Sequence, residues 1–147
     1  MFKSILAIVT VSFFLSGCAA KVNINPFSNK VEINYNEMYL LGIMNWWEPS
    51  EPYRLQPESK YYYSVTVELI ADGQPYDFKI SNDKWNNHLN CGSEYAQQEV
   101  LVNVRKPLYC AGDSLNLQFT PQETANYKFL LDTSDPNSPL LTVISVN

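Results

Sequence analysis

The chain has 147 residues, with 10 Lys and Arg against 15 Asp and Glu, a formal charge of −5 at pH 7. An acidic chain without a basic run is a poor nucleic-acid ligand, because phosphate neutralisation supplies most of that affinity. The length fits a single domain with one adequate core, and an aromatic fraction of 14%, including ten tyrosines and three tryptophans, is generous enough to suggest a contact surface.

The chain opens with "MFKSILAIVTVSFFLSGCAA". One early cation (Lys3), an apolar run from Ile5 to Leu15 and small residues before Cys18 have the shape of a secretory signal. The run is shorter than the roughly 20 residues of a membrane span. "LSGC" resembles the bacterial lipobox, which implies cleavage before Cys18 and its acylation by fatty chains such as palmitate. The alternative is an ordinary signal peptide with a chance Cys. Each buried methylene contributes about 0.8 kcal/mol, so several chains anchor durably. Ala19 follows Cys18, and resemblance to enterobacterial lipoproteins then implies the outer membrane of the cell envelope. The expected organisation is a signal peptide over 1–17, lipidated Cys and tether over 18–35, and one folded domain over 36–147. Lipid on Cys18 leaves Cys91 and Cys110, an even pair expected to form a disulfide in an oxidising compartment. Two reduced core thiols are the alternative.

After the tether come short runs of period two, each bounded by Gly, Pro, Asn or Asp. "MYLLGIM" (38–44) is apolar on both faces. "KYYYSVTVELI" (60–70) alternates, with Tyr61, Tyr63, Val65, Val67 and Leu69 on one face. "ADGQP" carries the Asp-Gly signal of a hairpin turn. "YDFKIS" (76–81) places Tyr76, Phe78 and Ile80 inward and Asp77, Lys79 and Ser81 outward. Further runs cover 99–104, 114–119, 126–132 and 140–146. Seven such strands without a helix-period segment predict an all-β sandwich. "VEINY" (31–35) is the candidate eighth strand, which would also allow a barrel.

No catalytic or metal-binding pattern stands out. His88 is the single His, with no acidic partner at fixed spacing and no second His for a metal, and no G-x-S-x-G, phosphate-cradling Gly loop or H-E-x-x-H occurs. Glu48, Glu51 and Asp83 lie near aromatics, which leaves a two-carboxylate hydrolase as a minor alternative. The expectation is a non-enzyme without cofactor.

The tryptophans carry more information. Trp46 and Trp47 follow one strand and Trp85 follows another. Neighbouring strand positions face opposite ways, so Trp46 is expected in the core and Trp47 outside. If the two strand ends share one edge, Trp47, Trp85 and the outward Lys79 form one exposed patch, with Asn86, Asn87 and Asn90 at its rim. Such a patch suits a sugar, whose C–H face lies on an indole while its hydroxyls need polar partners at the rim. The alternative makes all three tryptophans core anchors or loop plugs.

"MYLLGIMNWWEP…YRL", "YYYSVTVEL", "YDFKISNDKW" and "NYKFLLDTSDPNSPLLTV" together resemble the immunoglobulin-like starch- and glycogen-binding modules attached to bacterial pullulanases and α-amylases. Those modules are relatives of the family-48 carbohydrate-binding modules and of the glycogen-binding domain of AMP-activated protein kinase. The resemblance covers about residues 36–146. It implies an immunoglobulin-like β-sandwich of seven to eight strands, with Trp47 and Trp85 as stacking residues and Lys79 as a donor to sugar hydroxyls. It also implies that the ending is a closing hairpin. The sequence departs from the pattern in having Met44 where Phe is usual, in the pair Cys91 and Cys110, and in the lack of an attached catalytic domain.

Two functions are therefore expected. The first is a lipid-anchored, non-catalytic protein that binds α-glucan or a related polysaccharide through Trp47, Lys79, Trp85 and Asn87 and serves a separate glycan hydrolase or transporter. The second is an envelope assembly lipoprotein that docks a protein partner, with outward Tyr62 as a contact anchor.

Overall fold

The computed structural model describes residues 33–146; the expected signal peptide, Cys18 and nearly all of the tether lie outside the described residues. Eleven strands follow in chain order: β1 (Met38–Gly42), β2 (Gln56–Pro57), β3 (Tyr62–Leu69), β4 (Tyr76–Asn82), β5 (Asn90–Gly92), β6 (Gln98–Glu99), β7 (Lys106–Pro107), β8 (Tyr109–Cys110), β9 (Leu117–Phe119), β10 (Ala125–Asp132) and β11 (Leu140–Val146). Seven of them reach three residues or more. They form two sheets. One runs β6-β9-β4-β5-β8 with β1 also paired to β4; the other runs β2-β3-β10-β11-β7. The molecule is a β-sandwich, not a barrel.

The core follows from period-two burial. Met38 and Leu40 of β1, Phe78 and Ile80 of β4, and Leu117 and Phe119 of β9 face Val65, Val67 and Leu69 of β3, Phe129 and Leu131 of β10, and Leu141 and Val143 of β11. Phe78 meets Phe129 edge to face across the two sheets, with centroids 5.2 Å apart at 76°, the arrangement that aromatic quadrupoles favour. β10 and β11 pair from Asn126–Val146 to Asp132–Leu140, which is the closing hairpin expected of the C-terminus.

Several expectations need correction. Residues 33–35 form no strand; Tyr35–Glu37 is a 3-10 turn capped by Asn34. The run 99–104 is reduced to β6 and a single bridge between Val102 and Val143. Left-handed backbones at Gln97, just before it, and at Asn103, within it, break the alternation. Tyr61 is 42% exposed, because the strand starts one residue later. The Asp-Gly turn makes no hairpin. β3 already has β2 and β10 on its two edges, so the chain crosses to the other sheet, with Gly73 at φ 83° and an Asx turn from Gln74 N–H to Asp72 Oδ1 (2.9 Å). β5 and β8 were not expected from the pattern. Cys91 and Cys110 face each other in that pair and form the disulfide.

Candidate functional site

β1 and β4 are antiparallel, with Met38 opposite Asn82 and Gly42 opposite Phe78. Trp47 thus leaves one end of this strand pair and Trp85 the other, so the two do not share a sheet edge. Their rings nevertheless meet, with centroids 6.1 Å apart and planes inclined at 43°. Both segments must fold back along the strands. The core face is filled by the second sheet, and the free edge of β1 is met by Arg54 and Leu55, through a Tyr39–Arg54 bridge and the Leu55 N–H to Met38 carbonyl bond (2.9 Å). The outer face remains. On that face Leu41, Lys79 and Ser81 are buried although they point away from the core.

Local sequence explains the two returns. After β1, the Asn45 side chain accepts from Gly42 N–H (2.9 Å) and donates to the Leu40 carbonyl (2.9 Å). It thereby pins the 3-10 turn Ile43–Asn45 back on its own strand. The Trp47 N–H donates to the Gly42 carbonyl at 2.9 Å. Gly42 is required by packing: a Cβ there would lie 2.9 Å from the Phe78 Cβ. At the other end, Asn82 is buried and its Oδ1 accepts from Asn86 N–H (3.0 Å), while its carbonyl accepts from Trp85 N–H (3.3 Å). The 3-10 turns Ile43–Asn45 and Asn87–Leu89 both pack against β4.

All three tryptophans have left-handed backbones: φ is 57° at Trp46, 62° at Trp47 and 54° at Trp85. Each such residue costs about 1–2 kcal/mol. Strain of this kind persists where the surroundings over-determine it, and it clusters at functional sites. Trp47 is half-buried and Trp85 is 37% exposed, whereas Trp46 is 85% exposed. The expectation that Trp46 is a core residue is overturned. The left-handed turn cancels strand alternation, so neither Trp46 nor Trp47 points into the core.

Lys79 also departs from expectation. It is on the outward face, yet only 8% exposed, since the chain at Ser114 covers it. Its ammonium donates to the Ser114 carbonyl and to Ser114 Oγ (3.2 Å), and burial lowers its pKa from the ordinary lysine value. Ser114 Oγ donates in turn to the Asn90 carbonyl (2.9 Å). Asn90 is buried too, not at an open rim, and its Oδ1 has no protein partner, nor has Ser81 Oγ beside it in the register. Asn86 and Asn87 are exposed as expected. The Asn87 amide lies against Gly112, where a Cβ would come within 2.6 Å of Asn87 Oδ1.

The site is therefore a pair of indoles inclined at 43°, followed in the chain by exposed asparagines, with a buried polar cluster of Lys79, Ser114 and Asn90 on the outward side of the same sheet. Sequence reasoning missed Ser114, Gly112 and Asn82; it matched Gly42, Asn45 and Trp47 to the G-x-F-N-x-W motif of the resembling modules but gave Asn45 no part in pinning the turn. Gly112, in "YCAGDSL", is the kind of isolated glycine that signals close approach. Glu48 and Asp83 are exposed near the tryptophans, and Glu51 is engaged by Arg54 at 3.1 Å. Among the described residues no cluster of His, Cys, Asp or Glu could hold a metal ion.

No family model matches the chain, and no curated protein matches it. Among solved structures, one described as the ligand-induced structure of AmyP-SBD, a starch-binding domain, aligns with a TM-score of 0.56 at 12% identity, over 96% of this chain and 97% of that one. At that identity the likeness shows a shared fold. The chain is an all-β sandwich, and that fold is what the two share.

Proposed function

We propose that the chain is a lipid-anchored, non-catalytic module of the bacterial envelope that binds α-glucan or a related polysaccharide through Trp47 and Trp85. The observation that carries this reading is the convergence of the two rings from opposite strand ends, at a cost in backbone strain, onto an accessible face. Two inclined rings suit consecutive sugar units of a curved chain better than a flat wall. Asn87 and Asn86 supply donors and acceptors at the rim. The sequence resemblance assigns Lys79 to a sugar hydroxyl; here its ammonium is engaged by Ser114 and only 8% of the residue is exposed, so its part is to hold the Ser114 segment in place. Affinity of this type is modest, about −5 to −7 kcal/mol. Acylation at Cys18, with Ala19 after it, would hold the module at the outer membrane, where it would retain polymer for a separate hydrolase or transporter.

The test is affinity electrophoresis of the chain in glycogen, amylopectin and unrelated glycans. Retardation by α-glucan that Trp85→Ala reduces at least tenfold, in a variant whose circular dichroism shows the fold retained, is expected. Unretarded migration in every glycan would overturn the reading. A second reading, docking of a protein partner in an envelope assembly, is favoured by Tyr61 and Tyr62, both exposed, with the Lys60 ammonium 4.9 Å from the Tyr61 ring centre. One stoichiometric crosslinked partner without glycan retention would select it.

A further inference from the structure

The outer face does not end at the tryptophans. Residues directly opposite in antiparallel strands share a face. Cys91 and Cys110 pack against the core, so their neighbours Gly92 and Tyr109, which also pair, face outward. A Cβ on Gly92 would lie 3.4 Å from the Lys79 Cε and would also meet the Leu115 carbonyl. Lys79, Gly92 and Tyr109 thus form one row across β4, β5 and β8, and the backbone at Leu115 runs over its middle. With strands about 4.8 Å apart, Tyr109 stands about 10 Å from Lys79, beyond that ridge.

There Tyr109 (38% exposed) and Tyr95 (63% exposed) line a single groove with Glu94, Gln98 and Lys106. Among the described residues, neither ring is stacked on another aromatic side chain. Both are nonetheless positioned. Tyr109 donates its hydroxyl to Asp113 Oδ1 (3.0 Å), Tyr95 N–H donates to Ser93 Oγ (3.1 Å), and the disulfide ties β8 to β5 beside them. The polar lining is balanced, one carboxylate and one ammonium, with Lys106 donating to Gln98 Oε1 at 2.7 Å. A neutral ligand fits such a lining better than a phosphate or another strongly charged group. Open aromatic faces edged by amide, carboxylate and hydroxyl groups are what a pyranose requires.

We infer that the Tyr95–Tyr109 groove is a second saccharide subsite, which takes another stretch of the same neutral polysaccharide and makes binding of polymer bivalent. The inference rests on the function proposed above. Two linked weak sites raise retention of a polymer by a factor of about 10²–10⁴ over one site, provided the ligand spans both.

The experiment compares wild type, Trp85→Ala and Tyr95→Ala/Tyr109→Ala. Calorimetry with maltoheptaose counts sites, and affinity electrophoresis in glycogen measures retention. The expected result is two sites in wild type, one in each variant, and retention reduced at least tenfold by the tyrosine pair with an unchanged thermal midpoint. If wild type binds and the tyrosine variant keeps its stoichiometry and retention, the second subsite is overturned and the tryptophan site stands. Loss of all binding in Trp85→Ala also overturns it. A wild type that binds neither probe removes both proposals.

Discussion

Ser114 Oγ lies 3.2 Å from the Lys79 ammonium and donates to the Asn90 carbonyl at 2.9 Å, so one hydroxyl joins a buried cation to the strand beside it. The Ser114 carbonyl accepts from the same ammonium. Ser114→Ala keeps that carbonyl and removes only the hydroxyl. A hydrogen bond to a charged group contributes about 1.5–3 kcal/mol, so urea titration should show a loss of that size. The ammonium is then less fixed, and glycan retention should fall several-fold. Retention equal to wild type would mean that the orientation of Lys79 is irrelevant to the ligand.

Lys79 gives a pH signature. Burial lowers its pKa in the folded chain, while the unfolded chain titrates near the ordinary lysine value of about 10.4. Between the two values the unfolded state binds more protons, so the Lys79 contribution to stability rises with pH in that interval. Below the folded pKa the full desolvation penalty is present. Lys79→Met removes the penalty and the titration together. At pH 7 the variant should be as stable as wild type or more so, and the difference should move toward wild type as the pH is raised from 7 to the unfolded lysine value of about 10.4. Denaturant unfolding at both pH values measures it. A difference independent of pH would show that Lys79 titrates alike in both states.

The sheets were largely legible in the sequence, because β3, β10 and β11 alternate over seven or eight residues and bury mainly one face each, and β4 alternates in residue type although both of its faces are buried. Short strands carry too few positions for period two to emerge, which is why β5 and β8 were invisible although their cysteines were not. The site was half legible. Trp47 and Trp85 could be singled out by type, but the expected shared sheet edge was wrong, and the left-handed turns that reverse both chains leave no hydrophobic period. Strand parity consequently placed Trp46 in the core. Lys79 was assigned the correct face, yet parity cannot reveal that a distant segment, at Ser114, lies over it.

Trp46 tests the cost of that turn. A left-handed Trp that is 85% exposed contributes little packing and carries strain. Trp46→Gly relieves about 1–2 kcal/mol of strain, against about 0.5–1 kcal/mol from the greater freedom of glycine in the unfolded chain. The thermal midpoint should therefore hold or rise slightly. Trp47→Ala, which removes one member of the ring pair, should lower it by several degrees. If Trp46 flanks the bound glycan, Trp46→Gly also weakens retention; unchanged retention would leave Trp46 to a protein contact.

The Cys91–Cys110 disulfide should matter more to the site than its sequence separation of 19 suggests. Closing a loop of that size stabilises the fold by about 3 kcal/mol in the chain-entropy estimate, a loss that a domain of ordinary stability survives. But Cys110 also opens the segment in which Gly112 abuts the Asn87 amide and Ser114 holds Lys79. Cys91→Ala/Cys110→Ala keeps both positions apolar and removes the covalent tie of that segment to β5, leaving the backbone pairing. The variant should fold at 25 °C with its near-ultraviolet circular dichroism largely retained, while glycogen retention falls about tenfold. Reducing wild type with a dithiol, which converts the bridge to two thiols as the reagent closes to its own disulfide, should give the same result. If retention stays at the wild-type level while the thermal midpoint drops, the disulfide acts on the fold alone and the Lys79–Ser114–Asn90 cluster is held by the strands without it.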